Sequence, residues 1–143
     1  MKAKQGFSDD ILTMIRKSKI LGIRAGTQPH RFIGVWVVVV GRRVFVRSWA
    51  LKPGGWYRVL LKERRGTVQV AEQEIPIRAV QTRSERLKDA VDRAYQEKYN
   101  TPGSLRYVWD LRRAKSRAST TELVPFRVEP LNGVELNCRS RDA

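Results

Sequence analysis

The chain has 143 residues, 41% of them hydrophobic, which suits one domain with a core of its own. Its 29 Lys and Arg stand against 14 Asp and Glu, and the net charge of +15 attracts polyanions such as nucleic acid, anionic membrane or a phosphorylated cofactor without dictating a fold. One cysteine (Cys138) and one histidine (His30) exclude an intrachain disulfide and a Cys/His zinc cluster, and without a membrane-length apolar run or an apolar leader the expectation is a cytoplasmic protein that does not enter membranes.

Ser8-Asp9-Asp10 is a helix start, because Ser8 can cap and the two acids favour the positive end of the helix dipole. The helix covers residues 8–18, with Ile11, Leu12 and Ile15 as its apolar stripe. Lys19–Ala25 reads as a strand, with Leu21, Ile23 and Ala25 on one face. Gly26-Thr27-Gln28-Pro29 forms a loop, and His30 in it reads as a loop residue rather than a catalytic base. Phe32–Val40 is almost continuously apolar and rich in β-branched residues, which suits one strand buried on both faces. Gly41-Arg42 supplies a two-residue hairpin turn. In the next strand Val44, Val46 and Ser48 alternate with Arg43, Phe45, Arg47 and Trp49.

After the turn-rich Leu51–Gly55, Trp56–Arg65 reads as a short amphipathic helix stopped by Gly66. Thr67–Ala71 and the alternating Ile75, Ile77 and Ala79 read as two strands joined by a turn at Glu72-Gln73. Pro76 lacks an N–H, which places its strand at an edge or beside a bulge. Ser84–Tyr99 has a clear helical period through Leu87, Val91 and Tyr95. Asn100–Gly103 breaks it, and Ser104 caps a last helix over Leu105–Lys115. Thr120–Phe126 is a closing strand, which completes a single domain over residues 1–128; residues 129–143 form a loose tail. The order predicts an α+β protein built on a small six-stranded β-barrel, closed or half-open, with helices packed outside, and not a wound βαβ sheet.

No triad, Walker loop, GxGxxG motif or metal-ligand spacing occurs. What remains is cationic and aromatic. Lys52-Pro53-Gly54-Gly55 before a helix can cradle an anion, since glycine lets backbone N–H groups approach and the helix N-terminus adds positive charge. Arg47 on one side of that turn and Arg58 on the other can add charged hydrogen bonds. Trp36, Trp49, Trp56, Tyr57, Tyr107 and Trp109 are anchors that serve a core, or wall a flat ring system such as an isoalloxazine. The segment Arg106–Arg117 holds five more basic residues and one acid, a nucleic-acid footprint or a solvated face.

Residues Ile23–Pro125, about 100 of the 143, resemble the flavin-binding split β-barrel superfamily, and within it uncharacterised proteins near the deazaflavin-dependent nitroreductases. VWVVVVGRRVFVRSW, GGWYRVLLKERRGTVQV, AYQEKYN and TTELVP carry the likeness. It implies a six-stranded split barrel, a homodimer, and flavin mononucleotide or deazaflavin as the cofactor of an oxidoreductase. Carried over by position, Arg47, Ser48, Lys52, Gly54, Gly55, Trp56 and Tyr57 would lie at the cofactor phosphate, and Tyr107, with Trp36, at the substrate. The chain departs from the pattern in the turn Thr27–Arg31, which lacks the usual basic, Gly-rich character, and in a shorter loop after the second strand of the hairpin. Two other functions stay open: a basic nucleic-acid-binding module, and a cofactor-free barrel that serves interaction alone.

Overall fold

The computed structural model describes residues 6–27, 30–49 and 55–126. The predicted tail, Lys52, Gly54 and Cys138 fall outside them. In chain order the elements are α1 (Asp9–Lys17), β1 (Leu21–Ala25), β2 (Ile33–Val35), β3 (Val37–Val40), β4 (Arg43–Val46), α2 (Trp56–Glu63), β5 (Arg65–Val70), β6 (Gln73–Gln81), α3 (Glu85–Lys98), α4 (Pro102–Leu111), α5 (Ala114–Ala118) and β7 (Thr121–Pro125). All strand pairs are antiparallel, in the order β2-β1-β5-β6-β7-β4-β3. The two ends of that order, β2 and β3, are consecutive pieces of one segment broken at Trp36. The sheet thereby curls into a nearly closed barrel, with helices on the outside.

The expected fold class holds, with one correction in strand count. Seven strands replace six, because the apolar run Phe32–Val40 is not one strand. Its first half pairs with β1 and its second half with β4. A strand that must reach two neighbours on opposite sides of a barrel has to bend, and the bend leaves backbone groups unpaired. Side chains of α3 take them up. Val37 N–H donates to the Tyr99 hydroxyl at 3.1 Å, and Tyr99 in turn donates to Lys19 O at 2.6 Å. Tyr95 donates to Trp36 O at 3.2 Å, and Lys98 Nζ donates to Val37 O at 2.8 Å and Ile15 O at 3.1 Å.

Two apolar layers result. The barrel interior joins Leu21, Ile23, Val37, Val44, Val46, Val68, Ile77 and Leu123, with α1 entering through Phe7, Ile11, Leu12 and Ile15 and α2 through Leu60. The second layer lies between the barrel wall and α3–α4 and gathers Val38, Phe45, Val91, Tyr95, Tyr99, Val108 and Leu111. The alternation read in β4 is therefore correct, but both of its faces are covered: Val44 and Val46 point inward, and Phe45 lies under the helices.

α1 begins as expected, with Ile11 N–H donating to Ser8 Oγ at 3.3 Å. The Gly41-Arg42 turn also forms, with Gly41 at φ 63°. Several local details differ. α2 ends at Arg64, which takes a left-handed φ of 63°, and Gly66 is already inside β5. Gly66 is there for closeness: a Cβ would stand 2.6 Å from Arg24 O on the neighbouring strand. The β5–β6 turn falls one residue earlier than expected, on Ala71 and Glu72, both at positive φ. Pro76 is not at an edge, because β6 lies between β5 and β7. Phe126 N–H donates to Pro76 O at 3.0 Å, so the missing donor of Pro76 points to where β7 runs out at Pro125. The last helix starts earlier, with Thr101 as N-cap and Pro102 in the first turn, and it divides at Arg112-Arg113 into α4 and α5. No described helix is long and apolar enough to cross a membrane.

Candidate functional site

The strongest polar construction is a clasp around Arg47. Its side chain is fully buried, at 2% exposure for the residue. Nε donates to Thr120 Oγ1 at 2.8 Å, Nη1 to Asp92 Oδ1 at 2.6 Å and Leu111 O at 2.9 Å, and Nη2 to Lys88 O at 3.0 Å. The other Asp92 oxygen accepts from Arg117 at 2.7 Å, and Arg117 also reaches Glu85 and Asp89. These contacts, first the hydrogen bond donated to Glu85, push the Arg117 guanidinium further toward its charged form. Arg47 thus joins the end of β4 to α3, α4 and the start of β7, and Asp92 extends the junction to Arg117 in α5. The sequence reading placed Arg47 at a phosphate. The structure places it inside, with four N–H···O bonds to the chain itself, and it is not brought together with the α2 N-terminus.

Ser48 is held by the same junction. Its N–H donates to Ser119 Oγ at 2.9 Å and its carbonyl accepts from Ser116 Oγ at 2.6 Å. Past Ser48 the chain emerges at Trp49, which is 41% exposed, and residues 50–54 lie outside the described residues. Gly55, half-buried and extended, is the N-cap of α2; no side chain caps it and no acid sits in the first turn. The first-turn N–H groups therefore meet no carboxylate of their own helix, which suits an anion. Trp56 and Tyr57 face the other way. Trp56 packs on the barrel interior and Tyr57 is buried, with burial raising its hydroxyl pKa. Of the predicted cradle, Gly55 and the backbone of Trp56 and Tyr57 remain available, while both rings anchor the helix.

The two residues assigned to substrate do meet. Trp36 and Tyr107 lie edge to face at 6.2 Å, and Trp49 joins both, at 4.9 Å from Trp36 and 6.1 Å from Tyr107. Trp49 Nε1 donates to Tyr107 O at 3.2 Å, fixing the indole. Behind them Tyr99 stacks parallel on Trp36 at 3.9 Å. Burial is deepest at the back, where Tyr99 is enclosed, and least at the front, where Trp49 and Tyr107 are each more than two-fifths exposed. The result is an aromatic wall, open to solvent at Trp49 and Tyr107.

Sequence reading passed over the supports of this wall. Tyr95 was assigned to the apolar face of the helix and Lys98 and Tyr99 to its end, and their polar ends reach the strand bend. Glu85, Asp89 and Asp92 fall at i, i+4 and i+7 on α3, an acidic stripe that was the available sign of the arginines it holds. Burial lowers the Lys98 ammonium to about 8. Its ordinary value is 10.5, so between those limits the unfolded chain binds the proton more than the folded one and stability rises with pH. Denaturant midpoints measured from pH 8 to 10 are expected to climb, and Lys98→Met is expected to flatten that climb. His30 stays in its loop, its ring nitrogens 3.2 Å from Ala25 O and 3.3 Å from Arg31 O. No group of three or more potential metal ligands occurs among the described residues.

Three solved structures share this fold. A conserved hypothetical protein from Mycobacterium tuberculosis is similar with a TM-score of 0.53 at 14% identity, over 87% of this chain and 82% of its own. A candidate pyridoxamine 5'-phosphate oxidase from Listeria innocua gives 0.53 at 13% identity, over 87% and 98%. An FAD-binding protein from Mesorhizobium loti gives 0.52 at 9% identity, over 90% and 95%. At these identities the likeness is one of fold, and it defines the class: a split β-barrel with helices outside. The chain belongs to DUF2255, a family described as uncharacterised protein conserved in bacteria, whose model matches residues 12–123. No curated protein matches it.

Proposed function

We propose that the protein binds a flavin or deazaflavin and acts as an oxidoreductase. The observation that carries this reading is the solvent-open aromatic wall of Trp36, Trp49 and Tyr107. When bound, the ring system supplies hydride transfer. The chain supplies the rest. Flat indole and phenol edges give apolar contact to one side of a planar ring. The backbone N–H groups at Gly55–Tyr57, with Lys52, receive the phosphate. Tyr107, whose phenol stands at the exposed front of the wall, faces the substrate, and Trp36 limits its depth. Arg47 holds the wall in place from beneath and does not touch the phosphate. The two similar structures whose names mention a flavin or a pyridoxamine phosphate lend support at the level of fold. The protein works as a homodimer.

Titration with flavin mononucleotide, FAD and a deazaflavin, followed by tryptophan fluorescence and sedimentation, tests this. One of them is expected to quench in a saturable way on a dimer. Lys52→Ala and Trp49→Ala are each expected to weaken binding about ten- to a hundredfold. Lack of any response up to about 100 μM would remove the cofactor reading.

A further inference from the structure

The structure divides the basic segment Arg106–Arg117 into two populations. Arg117 is committed to the clasp, with Glu85, Asp89 and Asp92 around it. The others point outward. Arg106 lies over the Tyr107 ring at 5.6 Å and Arg112 over the Trp109 ring at 4.9 Å. Arg113 is 81% exposed, with a loose contact of 3.7 Å to Asp110. Lys115 is exposed too. Trp109 is the most exposed large hydrophobic side chain among the described residues, at 62%. The helix keeps its apolar side, Val108 and Leu111, against the barrel wall, so the exposure of Trp109 is not forced by a lack of buried positions.

We infer that the outer face of α4 is a binding surface for single-stranded nucleic acid. Arg106 and Trp109 stand at i and i+3 on α4, and Arg112 and Arg113 follow where the helix ends. The arrangement puts an open indole between guanidiniums on a chain of net charge +15. A strand with unpaired bases matches both parts: a base stacks on the indole, and the phosphates flanking it meet Arg106, Arg112, Arg113 and Lys115. Stacking tolerates any base, so no sequence preference is required. Anionic membrane fits less well. A helix lying in a bilayer surface needs an apolar stripe to bury, and here that stripe is turned to the protein, with the outward rings already lying under guanidiniums. This surface borders the Trp36–Trp49 wall at Tyr107, and its binding of a strand does not require the cofactor.

The full chain is titrated with a short oligothymidylate by fluorescence anisotropy of the labelled strand. Binding is expected at low salt, with log affinity falling against log salt at a slope of about −2 to −3 for three to four phosphates. Trp109→Ala should weaken it about tenfold at fixed salt while leaving the slope unchanged. Arg106→Gln with Arg113→Gln should reduce the slope by about 1.4. Circular dichroism confirms that the variants fold, which their exposed positions favour. Binding that ignores all three substitutions overturns the proposal. Absence of binding does the same, as does association with phosphatidylserine vesicles and not with the oligonucleotide.

Discussion

Arg47→Met is expected to lower the stability of the folded chain by about 3–5 kcal/mol, the cost typical of removing one partner from a buried ion pair. Methionine roughly fills the aliphatic part of the site and removes every donor. The carbonyls of Leu111 and Lys88 and the Thr120 hydroxyl then lose the N–H groups that face them. Asp92 keeps Arg117 at 2.7 Å, so its charge is not abandoned entirely. Arg47→Lys should recover only part of the loss, since a single ammonium cannot reproduce a planar fork aimed at four acceptors on three elements. Urea denaturation measures both. A cofactor ligand at this position would behave in the opposite way, with unchanged stability and weakened binding. An Arg47→Met protein that unfolds within about 1 kcal/mol of the parent would sink the clasp.

Tyr99→Phe is expected to cost about 1–3 kcal/mol, which is large for the loss of one oxygen atom. Its hydroxyl accepts from the buried Val37 N–H, and the strand bend leaves that donor no backbone partner. It also donates to Lys19 O, tying the end of α1 to the same point. Burial lifts the Tyr99 pKa to about 12, so the hydroxyl keeps its proton at physiological pH. Tyr95→Phe should cost less, because the Trp36 carbonyl it serves is part-buried and carbonyl oxygens tolerate loss of a partner better than N–H groups do. Amide exchange at Val37 is the local readout. It should accelerate in Tyr99→Phe and stay slow in Tyr95→Phe; equal protection in both would disprove the role.

The parts of this fold that were legible in the sequence are those decided within one element. Ser8 with two following acids gives the α1 start, and the 3.6-residue period of Leu87, Val91 and Tyr95 gives α3. Alternation gives β4 and its inward valines. Pairing is decided between elements and leaves weaker marks. A run of valines is a strand whichever neighbours it finds, so nothing in Phe32–Val40 announces that it serves two of them. Pro76 misled for a related reason: its missing donor matters only if a partner strand extends that far, and β7 stops short. In the candidate site, Trp36 and Tyr107 were both assigned to substrate, and the structure brings the two rings together. Arg47 was misread because a guanidinium followed by a glycine-rich turn looks the same whether it faces a phosphate or an aspartate. Only the acidic stripe on α3 distinguishes the two.

The bend at Trp36 also bears on how the chain reaches this shape. β2 and β3 are neighbours in sequence yet mark opposite ends of the sheet order, so the segment from Ile33 to Val40 cannot complete its pairing until β1 and β4 are both in place. β4 in turn awaits β7, its partner from near the far end of the described chain. Local hairpins such as β3–β4 and β5–β6 can form in microseconds, but closure joins residues separated by most of the domain. The slow step of folding should be that closure, and α3, whose tyrosines occupy the bend, should acquire its last contacts in the same event. A nascent chain released before β7 would hold paired hairpins and no barrel.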